Sequence, residues 1–450
     1  MKKRIIISIL IILLLSINSN SVSSDNLNYN FHNKNLTDLP NYHYIHGLNY
    51  THQIENYFCY LTSYYMIFDY MGINTSIEEI IYYYGMGYSI YYPGENDANL
   101  KQRLPVCGRG ISMNKLVGQN LGVKQNVWAA DLSNSGEEIW QQYWNKVKEN
   151  ISNDIPVCTV IDPLSLPSLR DQFKMPAFIW DVIMGEGVHF IVLTAYNESN
   201  QTVCYNDPNA GHYGKDCFGD HAWMDIEQFK TACRDEVDPS LRYSVITWKK
   251  ISERLPVQDA FNYTHKINLE KLKGNHTAYE LCGLNVSQRP NALFGIDAAK
   301  RLKQNYEKGI DNRVKTIKLY KKYAKLGFYY KAIHKMQTLF EEIYPNNPSI
   351  FDILNVSEMT NFENILMEKK HMAKYLTEIS VYNASLKKEA DLFKQDAENW
   401  TIISDCYKEF LNKGFFLSLT RANYLMNKME STMKNIISIE ESIINGLGGF

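Results

Sequence analysis

Gln53-Ile-Glu-Asn-Tyr-Phe-Cys59-Tyr-Leu-Thr-Ser-Tyr-Tyr-Met-Ile-Phe-Asp-Tyr-Met-Gly72 is the stretch from which this 450-residue chain is best read. Leu61, Tyr64, Tyr65, Ile67, Phe68 and Met71 recur at three- and four-residue steps, which predicts an amphipathic helix stopped at Gly72. Cys59 stands at the N-terminal end of that helix. Unpaired backbone N–H groups and the positive end of the helix dipole stabilise a thiolate there. Gln53, upstream in a loop, can swing its amide N–H₂ beside the sulfur as an oxyanion donor. Taken alone, a cysteine at a helix start is more often a buried structural thiol.

A second segment supplies a partner. His189-Phe-Ile-Val-Leu-Thr-Ala-Tyr196 and Thr202-Val-Cys-Tyr-Asn-Asp207-Pro208 are apolar runs joined by a polar link, the pattern of an antiparallel hairpin. If the link centres near Ser199, Ile191 faces Asp207, and His189 at one strand start lies near Asp207 at the other strand end. A carboxylate beside an imidazole fixes its tautomer and stabilises its protonated form. Asn206, next in line, is the alternative orienting group. Nucleophile, upstream amide donor, base and orienter together make an activated-cysteine arrangement.

Outward from these segments the chain changes character near residue 255. Before it, Val157–Ile161, Phe190–Tyr196 and Tyr243–Trp248 read as strands among helices. After Pro256 strand signals vanish, and Ala298–Lys308, Val314–Tyr344, Glu363–Lys394 and Trp400–Leu447 run at helical spacing. Residues 25–250 carry 16 basic and 26 acidic side chains, against 28 and 23 in residues 251–450, so the two halves attract one another. A net charge of -2 with 21 % charged residues excludes a uniformly basic nucleic-acid binder and general disorder.

The N-terminus and the asparagines address the compartment. Met1-Lys-Lys-Arg4, an apolar run from Ile5 to Ile17 and small polar residues to Ser24 describe a secretory signal peptide. The run is shorter than the roughly 20 residues of a membrane span, so no stable span is expected after its removal. With 43 Asn and 47 Ser plus Thr, chance gives about 4.5 Asn-x-Ser/Thr triplets; twelve follow the signal. They begin at Asn35, Asn49, Asn74, Asn150, Asn197, Asn200, Asn262, Asn275, Asn285, Asn355, Asn383 and Asn399. The expectation is a glycosylated protein of a secreted or lysosome-like compartment. Eight cysteines there imply disulfides, with Cys204, Cys217 and Cys233 as bridging candidates. Their spacing is not that of a zinc site.

Here a resemblance enters. The chain resembles papain-like cysteine peptidases of the double-glycine-leader type, in which Gln-x5-Cys, a strand-opening His and a strand-closing Asp-Pro recur; the matching positions are Gln53, Cys59, His189 and Asp207-Pro208. It is more closely similar to the butirosin biosynthesis protein H family of acyltransferases. There the cysteine helix ends in Gly and is followed by an acidic pair and a Gly-x-Gly turn, here Gly72, Glu78-Glu79 and Gly85-Met-Gly87. Phe294-Gly-Ile-Asp-Ala-Ala, Glu398-Asn-Trp-Thr-Ile-Ile and Ile439-Glu-Glu-Ser-Ile-Ile resemble that family's helical companion domain. Tyr57-Phe58 replaces the His common beside the cysteine there, and Tyr60 the usual small or acidic follower.

After the signal peptide at 1–24, the resemblance implies an α+β fold with a papain-like thiol-enzyme domain at 25–255 and an all-α domain at 256–450. It implies Cys59 as nucleophile, His189 as general base and acid, Asp207 as orienter and Gln53 as oxyanion donor, with no cofactor and no metal. The expected substrate is a peptide, amide or acyl-thioester, and no nucleic acid is involved. The expected activity is hydrolysis of a peptide or other amide bond; acyl transfer from a thioester to an amine and non-catalytic binding are the alternatives. The tyrosines of Tyr82-Tyr83-Tyr84, Tyr88, Tyr91 and Tyr92 line an acceptor cleft or fill the core, with core packing favoured. His52, His212 and His221 read as surface or structural imidazoles. Asp216-Cys217 with Asp220 and His221 is a weak metal motif. Substrate identity, disulfide pairing and oligomeric state stay open.

Overall fold

The computed structural model describes residues 39–55, 58–92, 106–107, 115–163, 166, 189–209, 219–234, 242–282, 284, 286–287, 291–311, 360–413 and 419–446. The signal segment, Tyr57, His212, Asp216-Cys217, the helical stretch Val314–Tyr344 and the triplets at Asn35, Asn285 and Asn355 lie outside them.

The first half is a twisted antiparallel sheet with helices on both faces. Its strands are β1 (Tyr42–Tyr44), β4 (Val123–Ala129), β5 (Val157–Ile161), β6 (His189–Asn197), β7 (Thr202–Asn206), β8 (Ala222–Asp225) and β9 (Ser244–Lys250). They lie in the order β4-β9-β5-β6-β7-β8, with β1 pairing the end of β6 beyond β5. Phe190 and Val192 face one layer; Ile191 and Leu193 face the other. A strand covered on both sides reads as an unbroken apolar run, which is why β6 is visible in the sequence. Each such side chain contributes about 1.5–3 kcal/mol on burial, and a one-residue slip would exchange the two faces.

The layer on the Phe190 face begins with α1 (Cys59–Tyr70) and α2 (Ile77–Tyr83). Gly72 ends the first of these at φ +68°, a conformation glycine adopts without steric cost. Ser76 caps the second by accepting from the Glu79 N–H at 3.1 Å. The opposite layer holds α4 (Gly136–Ile151), whose Trp140, Tyr143 and Trp144 meet Phe229 of α5 (Ile226–Arg234). A Ser135–Glu138 capping box starts α4. On the Phe190 face, α3 (Lys115–Leu121) adds Val117 and Leu121 to the same layer and leads into β4.

Beyond residue 255 the chain is helical: α6 (Val257–Leu272), α7 (His276–Leu281), α8 (Ile296–Asp311), α9 (Thr360–Ile379), α10 (Ser385–Lys413) and α11 (Leu419–Gly446). The stretch read as continuous over Glu363–Lys394 breaks at Ser380–Ala384, where Asn383 accepts from the Ser385 N–H at 3.1 Å. Trp400 sits inside α10 rather than opening a helix. Among the described residues this half also contributes a strand: β10 (Leu293–Phe294) joins β2 (Ile90–Tyr92) and β3 (Val106–Cys107) in a small sheet.

The two halves share one core. Phe261, Leu272, Met372, Tyr375 and Leu376 pack with Tyr60, Tyr64, Ile80 and Tyr82–Tyr84, while Ile90 and Tyr92 sit among the helices of the second half. The Gly85-Met-Gly87 turn is a place of close approach between them. A side chain at Gly85 would collide with Asn268 and Lys271, and one at Gly87 with Met372. The Lys271 ammonium donates to the Tyr84 and Gly85 carbonyls at 3.2 and 3.0 Å, and the Gly87 N–H donates to Glu368 at 3.0 Å. Glu78 pairs with Lys374 across the same seam. The motif is therefore a packing device. Tyr82, Tyr83, Tyr84, Tyr88 and Tyr92 are likewise fully buried core rings.

The expectation of disulfides is not met among the described residues. Cys59, Cys158, Cys204, Cys233, Cys282 and Cys406 are buried and unbridged, which corrects the proposed Cys204 and Cys233 bridges. Burial pushes the Cys158, Cys233, Cys282 and Cys406 thiols up, and Cys204 to about 11, so these thiols stay protonated and unreactive. A chain this long buries enough apolar surface to hold its fold without covalent staples.

Candidate active site

The sequence places Cys59 at a helix start, and it is the first residue of α1. Phe58 at the preceding cap position supplies no side-chain acceptor, and the first turn holds no acid. The N–H groups at that end are thus left for the sulfur or for a developing anion. His189 opens β6 and Asp207 follows the last residue of β7. The ladder pairs Val192 with Asn206, and one step further brings Ile191 opposite Asp207, the register read from the loop. A bulge between Leu193 and Ala195 shifts the pairing only on the far side of that point.

Hairpin geometry brings the imidazole and the carboxylate together. His189 Nε2 lies 2.7 Å from Asp207 Oδ1, with both residues buried. The same oxygen accepts the Asn209 N–H at 2.9 Å. Cys59 also lies near enough to the His189 ring to favour its protonated form. Burial alone would push the His189 pKa down. The Asp207 charge, its hydrogen bond and the neighbouring sulfur outweigh that and carry it up to about 10. The imidazole therefore keeps its second proton through neutral pH.

Gln53 is buried at 2 % exposure and its side-chain Nε2 donates to Asn209 Oδ1 at 2.7 Å. Its backbone N–H donates to the Pro208 carbonyl at 2.8 Å, and the Tyr50 hydroxyl to the Asp207 carbonyl at 3.2 Å. Asn206 turns away: its Oδ1 accepts the His221 N–H at 2.7 Å, so it does not orient His189. His221 pairs with Asp220, and among the described residues there is no group of three or more His, Cys, Asp or Glu side chains suited to a metal ion.

Sequence reasoning missed Asn209 and the strap it receives. Asp207-Pro-Asn209 carried the signal: an Asp whose side chain accepts the N–H two residues on is an Asx turn. It also missed His371 of α9, whose ring lies 5.3 Å from Phe58 and whose Nε2 is 3.7 Å from Glu55. The helical half thereby touches the loop that carries Cys59.

Residues 45–228 match the model of the Peptidase_C39 like family. That stretch contains Gln53, Cys59, His189 and Asp207, and the match supports a cysteine-peptidase type for it. No curated protein matches the chain. Among the described residues no helix is long and apolar enough to cross a membrane.

Proposed function

We propose that this chain is a secreted thiol hydrolase that cleaves a peptide or other amide bond through Cys59, His189 and Asp207. The observation that carries the reading is the buried 2.7 Å His189–Asp207 contact, with Cys59 at a helix start and near enough to the same ring to raise its pKa. The Cys59 thiolate attacks the carbonyl carbon, forming a C–S bond and an oxyanion that the Gln53 amide and the helix-end N–H groups stabilise. The His189 imidazolium gives its Nδ1 proton to the leaving amine as the C–N bond breaks. Water then loses a proton to His189, attacks the thioester and releases the acid with the thiolate restored. Asp207 keeps the ring oriented throughout.

Peptide-level mass mapping after iodoacetamide, with turnover on peptide and amide libraries, tests this. Cys59→Ala removes both the label at that position and turnover; labelling of Cys59 that is independent of His189, with turnover surviving Cys59→Ala, overturns the reading.

Acyl transfer of the butirosin-H kind is the second reading. It is favoured by the helical half reaching the Cys59 loop through His371, since a companion domain at the site can shape an acceptor. Its companion motifs have packing roles here: Trp400 is core, and Glu440 with Asp396 brackets the buried Lys369 ammonium at 2.8 and 2.7 Å. Turnover of an acyl-thioester with an amine acceptor, and none of peptides, would select it. A purely binding role predicts Cys59 bridged or inaccessible to alkylation; Cys59 is unbridged, and its alkylation under native conditions tests the rest.

The secreted part of the proposal draws on the apolar leader and the triplets. None of the nine described triplet asparagines is buried, so glycans can be carried without disturbing the core. A mobility shift on glycosidase treatment of protein from a glycosylating host checks it.

A further inference from the structure

Gln53 and Asp207 come from segments more than 150 residues apart, yet one residue holds both. The Asn209 side-chain oxygen accepts from the Gln53 amide at 2.7 Å, and its backbone N–H donates to the Asp207 carboxylate at 2.9 Å. Two further ties flank it, the Gln53 backbone N–H to the Pro208 carbonyl and the Tyr50 side-chain hydroxyl to the Asp207 carbonyl. Gln53 and Asn209 are both buried, so neither contact is diluted by water. A carboxamide nitrogen has two hydrogens. With one committed to Asn209, the plane of the amide is set and the other is left to donate elsewhere.

We propose that Asn209 is a positioning residue, which fixes the Gln53 carboxamide and the Asp207 carboxylate relative to one another so that oxyanion donor and oriented base are set as one unit. This rests on the thiol-hydrolase reading. Asn209 touches neither the substrate nor the sulfur in this scheme; it acts through Gln53 on the oxyanion and through its backbone on Asp207. Truncating its side chain removes the first action and leaves the second.

Two reagents separate these effects. p-Nitrophenyl acetate acylates Cys59 through a tetrahedral oxyanion: the C–S bond forms and nitrophenolate leaves. Iodoacetamide alkylates the same sulfur by direct displacement of iodide, with no oxyanion. Asn209→Ala and the same-sized Asn209→Leu are expected to slow acylation about tenfold while leaving alkylation of Cys59 within about twofold. Gln53→Ala should slow acylation at least as much, and the Gln53→Ala/Asn209→Ala double variant no further, because the two act in series. Asn209→Asp keeps an acceptor oxygen and should restore acylation to within about threefold of the parent.

Equal slowing of both reactions, losses that multiply in the double variant, or failure of both Asn209→Ala and Asn209→Leu to fold overturns the proposal. Parent protein whose Cys59 reacts with neither reagent would bring down the hydrolase reading itself, a different and recognisable failure.

Discussion

His189 and His265 are each about 5 % exposed and each faces a buried carboxylate, but they end in opposite protonation states. At the candidate site, Asp207 stands 2.7 Å from His189 and also receives the Asn209 N–H, so its charge is anchored and the imidazole pKa rises to about 10. In the core between the halves, Glu389 stands 3.5 Å from His265 Nε2 and accepts the Tyr88 hydroxyl at 2.8 Å. Burial lifts Glu389 to about 8 and drops His265 to about 4. Desolvation acts on all four groups. Converging donors defeat it only where short hydrogen bonds meet one carboxylate, and that place is the one beside a cysteine.

Breaking the first pair should have the largest effect. Asp207→Asn keeps the shape of the site but removes the charge that holds the proton on His189. Turnover is expected to fall about 10³–10⁴-fold, and the His189 resonance to titrate below the ordinary imidazole range. The parent's stability carries the same signature. A histidine raised from 6.5 to about 10 adds stability that is complete below pH 6.5 and is lost as pH climbs through 10. Denaturant unfolding of parent and Asp207→Asn at pH 6 and pH 10 should show that difference shrink on the alkaline side. A difference independent of pH would mean that the pair is not charged.

How far the sequence foretold these two places differs for physical reasons. The first was legible because apolar alternation, a polar link and a Gly-terminated helix are local signals, and they put Cys59, His189 and Asp207 in position without tertiary knowledge. Asn209 was missed because a single hydrogen bond from a distant loop leaves no periodic trace. The second place was invisible: Tyr82, Tyr88, His265 and Glu389 belong to three separate stretches that meet only when the halves share a core. For the same reason β10 went unread, since two residues become a strand only by pairing with β2. For the six described cysteines the count misled, because it infers oxidation from compartment, while burial in the core decides whether two sulfurs can meet at all. The break between α9 and α10 was hidden by apolar periodicity on both sides of Asn383.

Glu389→Gln should sharpen the contrast from the other side. A carboxylate raised to about 8 costs stability progressively as pH climbs from about 4.5 to 8, because the unfolded chain ionises freely and the folded one does not. Gln keeps an acceptor for Tyr88 without that cost. The variant is expected to gain on the parent by about 2–4 kcal/mol between pH 5 and pH 8.5, read from unfolding free energies, with Cys59 alkylation unchanged. A gain that does not grow with pH would place the Glu389 charge in the folded state and make the second pair like the first.

The smallest effect is expected at His265 itself. Its ring stacks on Phe261 at 5.0 Å and its Nδ1 meets the Tyr82 hydroxyl at 3.0 Å, so His265→Phe loses one hydrogen bond but keeps the stack. At pH 7.5 parent and variant should differ by about 1 kcal/mol or less. The sign of the pH dependence is opposite to that of His189. A histidine depressed from 6.5 to about 4 gives stability that is present above pH 6.5 and is lost as pH falls, because the unfolded chain takes up a proton that the folded core refuses. By pH 5 the parent should have lost about 2 kcal/mol relative to His265→Phe, enough to reverse their order. If the parent instead gained at pH 5, His265 would be accepting that proton from the acid side, Glu389 would be its ionised partner, and proximity rather than converging donors would be the rule for this core.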